Sequence, residues 1–276
     1  MTFYELVIFG NEIRMNTMTY QSIIFEKKDN IGTITMNNPA KMNALDQVMR
    51  KELRSLLGEV ATDREVKVLI ITGAGKNFCA GGDISTMEGI TAPAGRDLMK
   101  AGAQYIIRMM TELEKPIIAA VNGAAAGAGF NIALAADMII AADNARFQQS
   151  FVKLGLIPDL GGFYSLALRV GAPRAKEIMM TGRFIDAKEA DSLGLVNRVV
   201  HAEQLMQEAQ SLAANLAAGP SRAYAMIKAA LNLWPMNLQA YLEMEANMQA
   251  VAFATKDFDE GRRSFIEKRK PIFTGE

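Results

Sequence analysis

Apolar positions in this chain change period in step with its glycines and prolines. Ile23 to Glu26 and Thr33 to Met36 run apolar or alternate on either side of Asp29-Asn30-Ile31-Gly32, a turn signal, which predicts a β-hairpin. A helix follows from Asp46. Within it Met49, Leu53, Leu56, Leu57 and Val60 fall at i, i+4, i+7, i+8 and i+11, one apolar stripe, with Lys51, Arg54 and Glu59 outside it. Val68 to Thr72 then reads as a buried strand, so strand, strand, helix, strand opens a repeating ββα layout.

The next unit carries a helix over Asp97 to Glu112, with Leu98, Tyr105, Met109 and Leu113 as its apolar side, and a strand from Ile117 to Val121. Ala128 to Ala135 reads as a helix opened by glycines, Met138 to Ala141 as a strand, and Gly161 to Val170 as a helix after Pro158. From Ala202 the pattern turns almost wholly helical, over Ala202–Ala217, Ser221–Leu233, Asn237–Ala254 and Asp257–Lys268, punctuated by Gly219-Pro220, Pro235 and Lys256-Asp257. No Pro/Ser-rich linker divides the chain. The expectation is a flexible N-terminal extension over residues 1–19, an α/β core of ββα units over 20–200, and a helical region over 201–276 packed against it.

Composition narrows the function. The chain has 276 residues, half of them hydrophobic, and balances 30 basic against 30 acidic side chains, which argues against a nucleic acid or a membrane surface as partner and for a neutral cytoplasmic globule. One cysteine, Cys79, allows no internal disulfide, and with His201 as the single histidine no Cys/His metal site can be assembled, so no metal is expected. Ile117 to Ala136 carries no charge, but its alanines, glycines, Asn122 and Asn131 fit a strand, a turn and a buried helix better than a membrane span. Met1 to Met18 has Glu5 ahead of its apolar stretch and no small-residue cleavage site, which makes a poor signal peptide. The eighteen methionines read as adaptable core and interface filling.

Chemistry enters at two turns. F-C-A-G-G-D-I at 78 to 84 and I-I-A-A-V-N-G-A-A-A-G-A-G-F-N at 117 to 131 each take a β-like run into small residues and then into helical sequence, leaving main-chain N–H groups without partners. Two such turns make an anion site suited to a carbonyl that gains negative charge, and one donor of this kind contributes about 3 kcal/mol in known oxyanion holes. Alongside them stand N-P-A-K-M-N-A-L at 38 to 45, V-L-I-I-T-G at 68 to 73, K-P-I-I-A-A-V-N-G at 115 to 123, L-G-L-I-P-D-L-G-G at 154 to 162, T-G-R-F-I-D-A-K-E-A at 181 to 190, G-L-V-N-R-V-V at 194 to 200 and F-I-E-K-R-K-P at 265 to 271. In that order and spacing the chain resembles the crotonase superfamily, the enoyl-CoA hydratase/isomerase family, from about Tyr20 to Thr274.

The resemblance implies an α/β crotonase fold, its ββα units wound into a spiral core with a helical C-terminal region, acting on an acyl-CoA. It implies no cofactor beyond the coenzyme A that the substrate carries, and homotrimers or dimers of trimers that bury the helical tail between subunits. It places the oxyanion donors at the N–H groups of Gly82 and Ala128. It places coenzyme A against Ala80, Gly82, Asp83 and Ile84, with Lys41 near the nucleotide and Phe265 and Lys268 supplied by the tail of the same or a neighbouring subunit. The plain alternatives are tight turns and solvated lysines.

Where family hydratases use two glutamates to place a water, the aligned positions here are Asn131 and Phe151, and neither accepts a proton. Asp159, eight residues beyond Phe151, matches the acid/base aspartate of some relatives, among them epoxyphenylacetyl-CoA isomerases and 3-hydroxyisobutyryl-CoA hydrolases. The hydrolases pair it with a glutamate that Phe151 replaces, so the isomerases are the better match. Phe130, Phe151, Leu160 and Phe163 are expected to surround Asp159 with apolar groups and raise its pKa; an N-cap for the helix at Gly161 is the competing role. His201 reads as an exposed turn residue, Cys79 as loop packing, and Asp83 and Asp137 as structural. One carboxylate suffices to move a double bond through a thioester enolate, which favours an acyl-CoA isomerase. The alternatives are an enoyl-CoA hydratase, a decarboxylase of malonyl-type or polyketide thioesters, and a CoA-thioester binding protein without activity.

Overall fold

The computed structural model describes residues 20–276; the expected extension over 1–19 lies outside them. The hairpin forms as β1 (Ile23–Lys28) and β2 (Ile31–Met36), paired antiparallel with Phe25 opposite Ile34. Helix α1 (Gln47–Thr62) begins where Asp46 accepts the Met49 N–H at 2.9 Å, and all five residues of the expected stripe are buried. β3 (Val68–Gly73) follows, and then α2 (Ala92–Asp97).

The helix expected over Asp97 to Glu112 is broken. Leu98–Ala103 forms a wider π-type turn before α3 (Gln104–Glu112). A π turn inserts one residue relative to α-helical phase. The buried side is therefore Ala103, Ile106, Met110 and Leu113, while Tyr105 and Met109 sit one position off it and are only partly buried.

Next come β4 (Ile117–Val121), β5 (Ala124–Ala126), α4 (Ala128–Ala135), β6 (Met138–Ala142) and β7 (Arg146–Gln148). α5 (Gly162–Val170), α6 (Ala172–Thr181), β8 (Phe184–Asp186), α7 (Ala187–Ser192) and β9 (Arg198–Val200) complete the α/β part. The remainder is α8 (Leu205–Ala217), α9 (Ser221–Leu231), α10 (Leu238–Phe253) and α11 (Lys256–Glu267).

The main sheet runs in the order β1-β2-β3-β4-β6-β9 and is parallel from β2 onward. Its central strands are apolar on both faces because both faces are covered. Leu69, Ile71, Ile117 and Ala119 point into the larger core with α1, α3 and α4. Val68, Ile70, Ile118 and Ala120 point to the other side, where α8 lays Leu205, Ala209, Ala213 and Ala217 across them. Those four recur every fourth residue, and the three alanines among them form one small-residue stripe that faces the strands.

A second sheet, β5-β7-β8, is short and decides the position of the site. Bridges at its edge continue it as Cys79 beside Ala125, and a further bridge joins Leu45 to Gly82. The two turns singled out by sequence are thus adjacent because both are edges of one small β-structure.

Candidate active site

The loop after β3 is fastened on both sides. The N–H groups of Phe78 and Cys79 donate to the Ala124 carbonyl at 3.0 Å each, and Ala126 N–H donates to the Cys79 carbonyl at 2.9 Å. On the other side Leu45 N–H donates to the Gly81 carbonyl at 2.7 Å. Asn43, fully buried, adds its amide to the carbonyls of Ala74 and Asn77 at 2.9 and 2.7 Å. Glycine is required at this seam. A Cβ on Gly129 would lie 2.3 Å from the Cys79 carbonyl oxygen, and Gly81 holds φ +104° with the Ala126 carbonyl 2.9 Å from where its Cβ would stand.

Between those fastenings the main-chain N–H of Gly82 has no acceptor among the described residues, and neither has that of Ala128, the first residue of α4. All eight residues of α4 are buried, so its free N-terminal amides and the positive end of its dipole face the seam without competing solvent. Two unpaired amides, one on the loop and one at the start of the helix fastened beside it, are what a developing thioester oxyanion requires.

Asp159 reaches this helix through its neighbour in space. Asn131, one turn along α4 and fully buried, donates its Nδ2 to the Asp159 main-chain carbonyl at 2.8 Å and accepts from Gln149 Nε2 at 2.7 Å. The position that holds a glutamate in family hydratases is therefore occupied by an amide that ties down the aspartate's backbone. The carboxyl of Asp159 caps no helix: the N-cap place of α5 is taken by Gly161, in the left-handed region, without a side-chain hydrogen bond. Its Oδ1 is buried and accepts no hydrogen bond among the described residues. Burial pushes its pKa up to about 6, against a smaller downward pull from its own main-chain amide and from the Arg50 charge. Of the four apolar residues expected around it, Phe151 and Leu160 are buried, but Phe130 turns into the core against Phe147 and Phe163 is 53% exposed. Phe163 sits on the outward side of the first turn of α5.

The expected coenzyme A residues divide into two groups. Ala80, Gly82, Asp83 and Ile84 lie together on the loop, with Ile84 open to solvent. Lys41 joins them through an ion pair to Asp83 at 2.7 Å. That lysine, together with Ser85, holds the Asp83 carboxyl down at about 2, and the same carboxyl caps the 3-10 turn Ile84–Thr86. Phe265 and Lys268 lie on and just after α11, both exposed, and no hydrogen bond or ion pair among the described residues ties them to the loop.

Cys79 is buried and its thiol is pushed up to about 12, which suits packing and not nucleophilic attack. His201 is exposed beside Asp143, 2.8 Å away, and Asp137 accepts the Ile117 N–H and pairs with buried Lys228. Cys79 is thus packed beneath the loop, His201 is exposed just after β9, and Asp137 stands immediately before β6. Among the described residues no three His, Cys, Asp or Glu side chains group as a metal site, and no helix is long and apolar enough to cross a membrane. A cavity of about 1080 Å³ between α3, α5 and α9 touches neither loop. Sequence reasoning missed Gln149, whose only signal was its place beside the position aligned with the second glutamate.

The model of the enoyl-CoA hydratase/isomerase family matches residues 26–276, and the chain belongs to that family and to the crotonase superfamily. Among its relatives, the crotonyl-CoA hydratase of Syntrophomonas wolfei is 39% identical, covering 93% of this chain and 99% of that one. The 1,2-epoxyphenylacetyl-CoA isomerase of Escherichia coli is 38% identical, covering 92% and 98%. The crystal structure of an enoyl-CoA hydratase from Bacillus anthracis superposes with a TM-score of 0.88 at 33% identity, covering 93% of this chain and all of the other.

Proposed function

We propose that the protein is an acyl-CoA isomerase that moves a double bond by carrying one proton between C2 and C4 of an unsaturated thioester. In this reading the thioester oxygen lies between the N–H groups of Gly82 and Ala128. Asp159, ionised, takes a proton from one carbon, the dienolate is held by the two amides, and the same carboxyl returns the proton at the other carbon. One observation carries it: Asn131 and Phe151 supply no carboxylate, while the half-buried Asp159 has a pKa of about 6, close to working pH, where a general base is most effective.

Coenzyme A is proposed to lie along Ala80, Gly82, Asp83 and Ile84, with Lys41 near its phosphates, as part of the substrate and with no separate cofactor. Phe265 and Lys268 are assigned to a neighbouring subunit's site, in a homotrimer or a dimer of trimers. The apolar side chains left open on the tail support this, among them Phe265 at 86% exposed, and α10 has no buried residue.

Hydration is the second reading, favoured by the name of the Syntrophomonas wolfei relative, a crotonyl-CoA hydratase. Product analysis with crotonyl-CoA and a 3-enoyl-CoA separates the two. Conversion of the 3-enoyl to the 2-enoyl thioester faster than water is added to crotonyl-CoA is expected, and the opposite ranking rejects the isomerase. Asp159→Asn is expected to stop exchange of substrate α-protons with D2O. Undiminished exchange removes Asp159 from the chemistry.

A further inference from the structure

The outer side of α1 carries Arg50, Lys51 and Arg54, which by periodicity alone read as a solvated face. In the fold they do not simply face water. A cavity of about 780 Å³ lies between α1, the turn after the Gly82 loop and the α2–α3 segment, lined by these three cations with Ser55, Thr86 and Tyr105. Asp97 also lines it, but no carboxylate lies within ion-pair distance of Arg50, Lys51 or Arg54 among the described residues.

Both arginines are held in place. Arg50 donates from Nη1 to the Leu45 carbonyl at 2.8 Å, and Leu45 is bridged to Gly82, so this guanidinium is anchored to the segment paired with the Gly82 loop. Its charge also reaches Asp159, where it opposes the effect of burial. The Arg54 guanidinium lies over the Tyr105 ring, 4.7 Å from the centroid, and its Nε is buried without an acceptor among the described residues. Like charges placed side by side around one cavity repel, and a buried donor without a partner costs about 1–3 kcal/mol. Both penalties are relieved by an anion between the two forks, and planar guanidinium groups suit a carboxylate in particular.

We propose that this cavity is the acyl subsite and that Arg50 and Arg54 bind a carboxylate at the far end of the acyl chain, so that the substrate is the CoA monothioester of an unsaturated dicarboxylic acid. The assignment rests on the acyl-CoA reading of the Gly82 and Ala128 site and adds the class of its acyl group. Thr86 connects the two places: it closes the 3-10 turn begun by Asp83 and lines the cavity at its loop end.

The test uses the full chain and saturated ligands that cannot react, hexanedioyl-CoA and hexanoyl-CoA, with calorimetric titration as readout. Charge-assisted hydrogen bonds of this kind predict a preference of about ten- to a hundredfold for the diacid thioester, weakening as salt is raised. In Arg54→Met that preference is expected to fall toward unity, and in Arg54→Lys to be partly retained. Equal binding of the two ligands by the wild-type protein overturns the proposal, and so does an unchanged preference in a folded Arg54→Met. Turnover of the matching 3-enoyl thioesters is measured separately. If the diacid binds selectively but is not isomerised, the isomerase reading fails and the subsite stands. If both acids are isomerised without selective binding, the subsite fails and the reaction stands.

Discussion

Asp159 carries opposing demands on stability and chemistry. Burial raises its pKa to about 6 from an unfolded value near 3.9, so between those two pH values the folded chain binds the proton more tightly than the unfolded chain. Folding stability from this group is therefore greatest at and below about pH 4, falls as pH rises to about 6, and stays lowered above it. Activity runs the other way, because the ionised form is the base: kcat/KM is expected to climb through about pH 6 and level off toward neutrality. Asp159→Asn abolishes the base and also the buried charge. After discounting for partial exposure, it should raise stability at pH 7.5 by about 1–2 kcal/mol while lowering isomerisation by about a hundredfold or more. Urea unfolding of both proteins at pH 4.5 and 7.5 checks the sign, since the gain must shrink at the lower pH. A variant less stable than wild type at pH 7.5 contradicts the assignment of burial as the cause. Gly129 gives a second test at the same scale. An alanine Cβ there would stand 2.3 Å from the Cys79 carbonyl, so Gly129→Ala must push α4 away from the loop that carries Gly82, and it is expected to cost about 1–3 kcal/mol and most of the activity.

At the scale of elements, the clarity of the sequence followed the length and regularity of each segment. Helix α1 was legible because five apolar residues keep one phase over three turns and Asp46 marks its start. The segment before α3 was not, because the π-type turn at Leu98–Ala103 shifts the phase by one residue and no single side chain announces it. β5, β7 and β8 escaped notice because three residues carry no readable period, yet they join the two loops. The donor places proposed at Gly82 and Ala128 came from the resemblance to the family, carried onto the two glycine-rich motifs. The surroundings of Asp159 could not be placed in this way, since Asn131 reaches its carbonyl from α4 and is itself held by Gln149 from another segment; Arg54 likewise reads as a surface residue because periodicity does not place Tyr105 beneath it. The same limit hid how α9 is fixed. Lys228 is buried on it and donates to the Met110 and Lys115 carbonyls at 2.8 and 3.1 Å while pairing with Asp137 at 2.9 Å. Burial lowers its pKa, and Asp137 opposes that shift. Asp137→Ala strands the ammonium and also frees the Ile117 N–H, so a loss of about 3 kcal/mol is expected by denaturant titration. Lys228→Met in the Asp137→Ala background should recover part of that loss, because it removes the unpaired charge.

For the molecule as a whole, the apolar surface is unevenly distributed. The sheet is covered on both faces, but α9 to α11 leave Ile227, Leu231, Leu238, Val251, Phe265 and Ile266 open. A single copy in water would expose this region at a cost of roughly 25 cal/mol for each Å² left uncovered. In the proposed assembly, association of copies through the tail would remove that cost and let Phe265 and Lys268, on and just after α11, serve a neighbouring subunit's coenzyme A loop. The state proposed from the resemblance to the family is a trimer or a pair of trimers, with activity dependent on assembly. Sedimentation velocity of the wild-type chain should show a species at three or six times the chain mass. Phe265→Glu combined with Ile266→Glu should shift it toward one chain mass and raise KM for acyl-CoA by about tenfold or more, because two buried charges cannot be accommodated in an apolar contact. A wild-type chain that sediments as a monomer removes the assembly. A dissociated double variant with unchanged KM keeps the assembly but shows that coenzyme A is bound wholly within one subunit.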